Sequence, residues 1–89
     1  MNTHPHHPAI VARLKRASGH LQKVISMIEN DHPCEQVAQQ LHAVCNALDN
    51  AKRNYVSDHI EHCLVIREGL SIQELEKQLT AMKQIAKYL

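Results

Sequence analysis

Eighty-nine residues bound the chain to one small domain, with a core that is marginal unless chains associate. Phe and Trp are absent, Tyr, Gly and Pro are scarce, and Ala, Leu, Ile, Val, Gln, Glu and Lys dominate; this composition excludes a β fold and fits an all-α chain with an aliphatic core. The net charge of +1 hides a gradient: residues 8–29 carry Arg13, Lys15, Arg16 and Lys23 against Glu29 alone, whereas residues 34–65 carry Lys52 and Arg53 against Glu35, Asp49, Asp58 and Glu61.

Residues 1–7 have no apolar period and read as a flexible arm. Its His4, His6 and His7 form a candidate metal-binding tract, set against the plainer reading of a disordered tail with incidental histidines. Pro8 suits the first turn of a helix. From there Ile10, Leu14, Ala17, Leu21, Val24 and Ile28 alternate at steps of four and three, a packing stripe. Arg13, Arg16, His20 and Lys23 form a second row beside it, a candidate nucleic-acid surface; a solvated face is the alternative. This helix is expected to end near Asn30, ahead of Asp31, His32 and Pro33.

Pro33 opens a second helix with Cys34 in its first turn, where unpaired N–H groups and the helix dipole favour the thiolate form that ligates metal. Val37, Leu41, Val44, Leu48, Ala51 and Tyr55 repeat the packing stripe. Extended, the same stripe reaches Cys34 in one direction and His59 and Cys63 in the other. Cys45 falls next to Val44, off the stripe, and receives no role; His42 and His62 read as surface residues. No Pro or Gly interrupts residues 34–68, which predicts one long helix. Gly69 breaks it, and Ser71 with Glu74 forms a capping box for a third helix. The inner face of that helix is expected to carry Ile72, Leu75, Leu79, Met82, Ala86 and Leu89, with Lys83 and Lys87 suiting its C-terminal end.

Eight histidines and three cysteines in a chain this short, with no signal peptide and no apolar run long enough to span a membrane, predict reduced thiols in a cytoplasmic protein. His59 and Cys63, four apart, project from one helix face as a two-point chelate for Cu(I), Zn(II), Ni(II) or Co(II). Two ligands are too few for a tight site. At 1.5 Å per residue, Cys34 lies roughly 37 Å from His59 along one helix. An antiparallel partner helix removes the difficulty, because Cys34 of one chain then lies beside His59 and Cys63 of the other. The dyad falls near Ala47 and Leu48, and a twofold dimer has two equivalent sites. A nucleophilic role for Cys34 with His59 as base finds no oxyanion hole, Gly-rich loop or carboxylate to orient the base, so an enzyme is not expected.

Arg13-Leu14-Lys15-Arg16-Ala17-Ser18-Gly19-His20-Leu21, then Cys34, then Gln39-Gln40-Leu41-His42-Ala43-Val44, then Asp58-His59-Ile60-Glu61-His62-Cys63 resemble the CsoR/RcnR family of bacterial metal-sensing repressors. The resemblance covers residues 8–89. It implies an all-α protomer of three helices, an antiparallel dimer with a four-helix core, a dimer-of-dimers tetramer, and operator DNA as partner of the metal-free protein. Carried over by position, Cys34, His59 and Cys63 match the family's ligands, the pattern of its Cu(I) sensors. Its nickel and cobalt sensors add a ligand from the arm, and the arm here looks like the nickel-resistance branch. Pro33 stands where copper sensors tend to have an aromatic residue. The resemblance therefore favours Ni(II) or Co(II), with His4 as fourth ligand, over Cu(I). Arg13, Arg16 and Lys23, with Lys52 and Arg53, are the expected DNA contacts. The formaldehyde-sensing branch is disfavoured, since Asn rather than Pro stands at position 2. A cytoplasmic metal buffer or chaperone with the same ligands and no DNA role is the reading from a different class.

Overall fold

The structure, a computed structural model, describes residues 5–63 and 68–89, without the side chains of His62 and Cys63. Three helices run in order: α1 (His7–Glu29), α2 (Cys34–Cys63) and α3 (Ile72–Ala86). The expected fold class holds, and no strand occurs among the described residues. Helix α1 pairs with α2 as a helical hairpin, and α3 packs back on α2 alone.

The turns follow from local chemistry. Pro8 sits in the first turn of α1, where its missing N–H has no partner to lose. At the other end Asn30 is the C-cap, and Asp31 adopts φ 54°, the left-handed region that usually selects glycine. The Asp31 N–H donates to the Ile28 carbonyl at 3.2 Å and the His32 N–H to the Met27 carbonyl at 3.0 Å. These two bonds form a Schellman motif, which satisfies carbonyls that the helix end leaves open. Pro33 follows, and its carbonyl accepts the Val37 N–H to begin α2. The capping box is present at α3, where Ser71 Oγ accepts the Glu74 N–H at 3.0 Å.

The packing stripe divides into two rows. Ile10, Ala17 and Val24 on α1 and Val44 and Ala51 on α2 recur every seven residues and are buried between the helices. Asp58 continues the α2 row by seven more and is buried too. Leu14, Leu21 and Ile28 on α1 and Leu41, Leu48 and Tyr55 on α2 recur with the same period yet remain between 39% and 57% exposed. One chain therefore covers half of its own stripe. The inner face expected for α3 is similarly incomplete: Leu75, Met82 and Ala86 are half-buried, but Ile72, Leu79 and Leu89 are exposed.

The shape agrees. The radius of gyration is 18.7 Å and the extents are 62 × 26 × 13 Å, against a radius of about 12 Å for a compact chain of this length. A slab 13 Å thick is one layer of helices, and a helical domain ordinarily needs a second layer to bury its apolar stripe. No helix among the described residues is long and apolar enough to cross a membrane.

Candidate metal centre and nucleic-acid face

Cys34 is the first residue of α2 and is exposed. The Schellman turn and Pro33 fix where the helix begins and so fix the position of the thiol. His59 lies toward the other end of α2 and is half-buried. It lines a cleft of about 400 Å³ with Ala81, Gln84, Ile85, Lys87 and Tyr88 from the last turns of α3. Sequence spacing did not place the end of α3 beside His59, because that contact depends on how α3 folds back rather than on any local period.

Helix α2 is continuous from Cys34 to Cys63, so the two described donors stand at opposite ends of a rod. Among the described residues no three His, Cys, Asp or Glu side chains of one chain are close enough to hold a metal ion. His4 and the Cys63 side chain lie outside the described residues. As a donor set, a thiol and an imidazole fit Ni(II), Co(II) or Cu(I); Cys34 falls seven residues before Leu41 on the open row, and His59 lies one turn beyond Tyr55, beside the end of α3. Cys45, next to Val44 and off the seven-residue rows, is exposed.

The start of α1 is tied to the same end of α2. His7 Nε2 lies 3.4 Å from Asp58 Oδ2, whose side chain is only 2% exposed. The His7 ring stacks on Tyr55 with centroids 5.3 Å apart and planes 23° from parallel. Tyr55 and Asp58 belong to the helical turn that leads into His59. His6 and His7 therefore lie beside the histidine end of α2. The sequence grouped His7 with His4 and His6 as a metal tract; folding gives it a carboxylate partner instead.

The basic row is displayed on the other flank. Arg13, Arg16 and His20 line a groove of about 270 Å³ between α1 and α2, with Ala17, Ala47 and Asn50. Lys23 continues the row and is exposed. Lys52 and Arg53 are placed elsewhere. Lys52 Nζ lies 3.4 Å from Asp49 Oδ1 and Arg53 Nε 3.2 Å from Asp49 Oδ2, and neither lines the groove. Both pairs are exposed, so they hold the cations loosely.

The described residues thus form a single-layer helical hairpin with a thiol and an imidazole at opposite ends of α2 and a row of cations along the groove between α1 and α2. The chain belongs to the metal-sensitive transcriptional repressor family, whose model matches residues 6–88. That family comprises regulators of transcription, not enzymes. Among curated relatives, the copper-sensing transcriptional repressor CsoR of Mycobacterium ulcerans is 35% identical over 84% of this chain and 66% of its own length. CsoR of Bacillus subtilis is 32% identical over 88% of this chain and 79% of its own. The chain thus spans just under two thirds of the mycobacterial protein. Among solved structures, the nickel-responsive transcriptional regulator InrS superposes with a TM-score of 0.78 at 29% identity, covering 100% of this chain and 99% of that one.

Proposed function

We propose that the protein is a cytoplasmic repressor that binds operator DNA when metal-free and is released by Ni(II) or Co(II) bound between two subunits. One observation carries the reading: Cys34 and His59 occupy opposite ends of a single uninterrupted helix, Cys34 exposed and His59 half-buried beside the end of α3, so one chain cannot bring them together. Antiparallel pairing about Ala47 and Leu48 brings Cys34 of one chain to His59 and Cys63 of the other, twice per dimer. Two such dimers make the tetramer expected from the family resemblance. The helical domain spans residues 8–89, and residues 1–7 act as an arm whose His4 supplies the fourth ligand. From His7, held at Asp58, three residues reach about 10 Å when extended, which brings His4 within range of the His59 end of its own chain.

Metal at this site joins the ends of two α2 helices and shifts the packing that sets the spacing of the two basic faces. Arg13, Arg16 and Lys23, with Lys52 and Arg53 once drawn from Asp49, then no longer match the DNA phosphates. The coupling is on the order of 1–3 kcal/mol and runs in both directions, so DNA weakens metal binding by the same factor. The copper-sensing relatives favour a second reading, in which Cys34, His59 and Cys63 alone hold Cu(I) in three-coordination.

A gel-shift with the gene's own upstream region, with and without each metal, tests the function. Cys34→Ala is expected to abolish release by metal and to leave DNA binding intact; a Cys34→Ala protein that still dissociates on adding metal removes the thiol from the site. Absorption spectra of the titrated protein separate the metals. Thiolate-to-Ni(II) charge-transfer bands are expected, and bands that need the arm for their geometry assign it the fourth ligand. Stoichiometric metal binding with no shift of DNA at any salt concentration establishes a metal buffer instead.

A further inference from the structure

The groove between α1 and α2 contains a histidine that the basic row alone does not explain. His20 is half-buried, and its Nε2 lies 2.7 Å from Gln40 Oε1, twenty residues away on α2. With the Gln40 amide turned so that its oxygen faces the ring, that oxygen accepts, and the contact pairs with the tautomer that carries the proton on Nε2. In neutral imidazole the other ring nitrogen, Nδ1, then has a lone pair and no hydrogen. His20 lines the same groove as Arg13 and Arg16, yet in this state it offers an anion nothing. Once protonated it keeps the Gln40 bond and gains an Nδ1–H donor and a positive charge.

We infer that Arg13, Arg16, His20 and Asn50 form a seat for one backbone phosphodiester of nucleic acid, which binds with uptake of a proton by His20, and that Gln40 is the positioning residue holding the imidazole there. The inference rests on the DNA-binding reading and adds to it a proton and the positioning role of Gln40. The groups facing His20 favour it. From α1 these are Arg13 and Arg16, with Lys23 one turn further on; from α2 they are Gln40 and Asn50, which do not titrate. No carboxylate lines the groove among the described residues. Asp49, next to Asn50, is engaged by Lys52 and Arg53. The groove stays open on association, because the basic row and the exposed apolar row flank the buried row on opposite sides of α1.

The test measures the affinity of the metal-free protein for a labelled duplex of its upstream region, from about pH 6 to 8, where histidine changes charge, at several salt concentrations. Wild-type affinity is expected to rise as pH falls, by up to about tenfold per unit for one proton taken up. At the acid end the slope of log K against log salt should be steeper by about 0.9 for the added contact. His20→Gln, which stays neutral, is expected to lose both effects while keeping its helicity and metal affinity. Gln40→Ala should weaken acid-end binding several-fold without changing the melting temperature of the metal-free protein by more than a few degrees. Equal pH and salt slopes in wild type and His20→Gln overturn the inference and leave the repressor reading standing. No duplex binding by wild type at any pH or salt overturns both. Competition by inorganic phosphate at matched ionic strength distinguishes the remaining source: displacement of the duplex at low millimolar phosphate would show a free-phosphate site and overturn the phosphodiester assignment.

Discussion

Asp31 shows how one residue sets the geometry of a site it does not join. Its φ of 54° closes the Schellman motif, turns the chain, and fixes the start of α2 and therefore the position of Cys34. Asp visits the left-handed region at a cost that glycine avoids. Asp31→Gly is therefore expected to raise stability by about 0.5–1 kcal/mol, read as a higher melting temperature with metal affinity unchanged. A fall in stability would mean that the Asp side chain, rather than the backbone, holds the turn. The His20–Gln40 and His7–Asp58 contacts lie at the same scale and were not legible in the sequence. Each joins residues 20 or more apart through the pairing of two helices, and no local period records which side chains that pairing brings face to face.

At the scale of elements much was legible. The three helices, the turn at Gly69 with its φ of 84°, the Ser71–Glu74 cap and the uninterrupted run from Cys34 to Cys63 all follow from propensity, capping and breakers, which act within a few residues; the expected continuation of α2 over 64–67 lies outside the described residues. The stripe through Leu41, Val44, Leu48 and Ala51 was legible as apolar, but not as two rows with different neighbours. Periodicity reports that a face must be covered, not by which chain. Val44 and Ala51 are buried inside the chain, while Leu41 and Leu48 are not. Leu48 supplies the decisive measurement. At 43% exposed in one chain, Leu48→Glu is expected to alter stability by no more than about 0.5 kcal/mol if the chain acts alone. If the open row is an interface, it leaves a charge buried without a partner. Sedimentation equilibrium should then show dissociation to monomers with loss of helicity, and an assembled Leu48→Glu protein would refute pairing at this row.

For the whole molecule, a slab one helix thick leaves one row of its stripe uncovered. If a second copy buries that row, as proposed, the step is bimolecular and the melting temperature is expected to rise with protein concentration. Ligand placement follows the same logic. Within one α2, the cysteine end and the histidine end never meet, so the proposed site belongs to neither subunit alone. On this reading two damaged chains repair each other. A chain with Cys34→Ala and a chain with His59→Ala each form homodimers without a complete site. A mixed dimer has one pocket lacking both ligands and another lacking neither. Co-expressing the two defective proteins is therefore expected to restore metal response to a fraction of the molecules, set by random mixing of subunits, whereas a protein carrying both substitutions restores none. The length of one helix becomes a rule of inheritance: sensing behaves as a property of the pair, open to rescue by a second, differently broken copy.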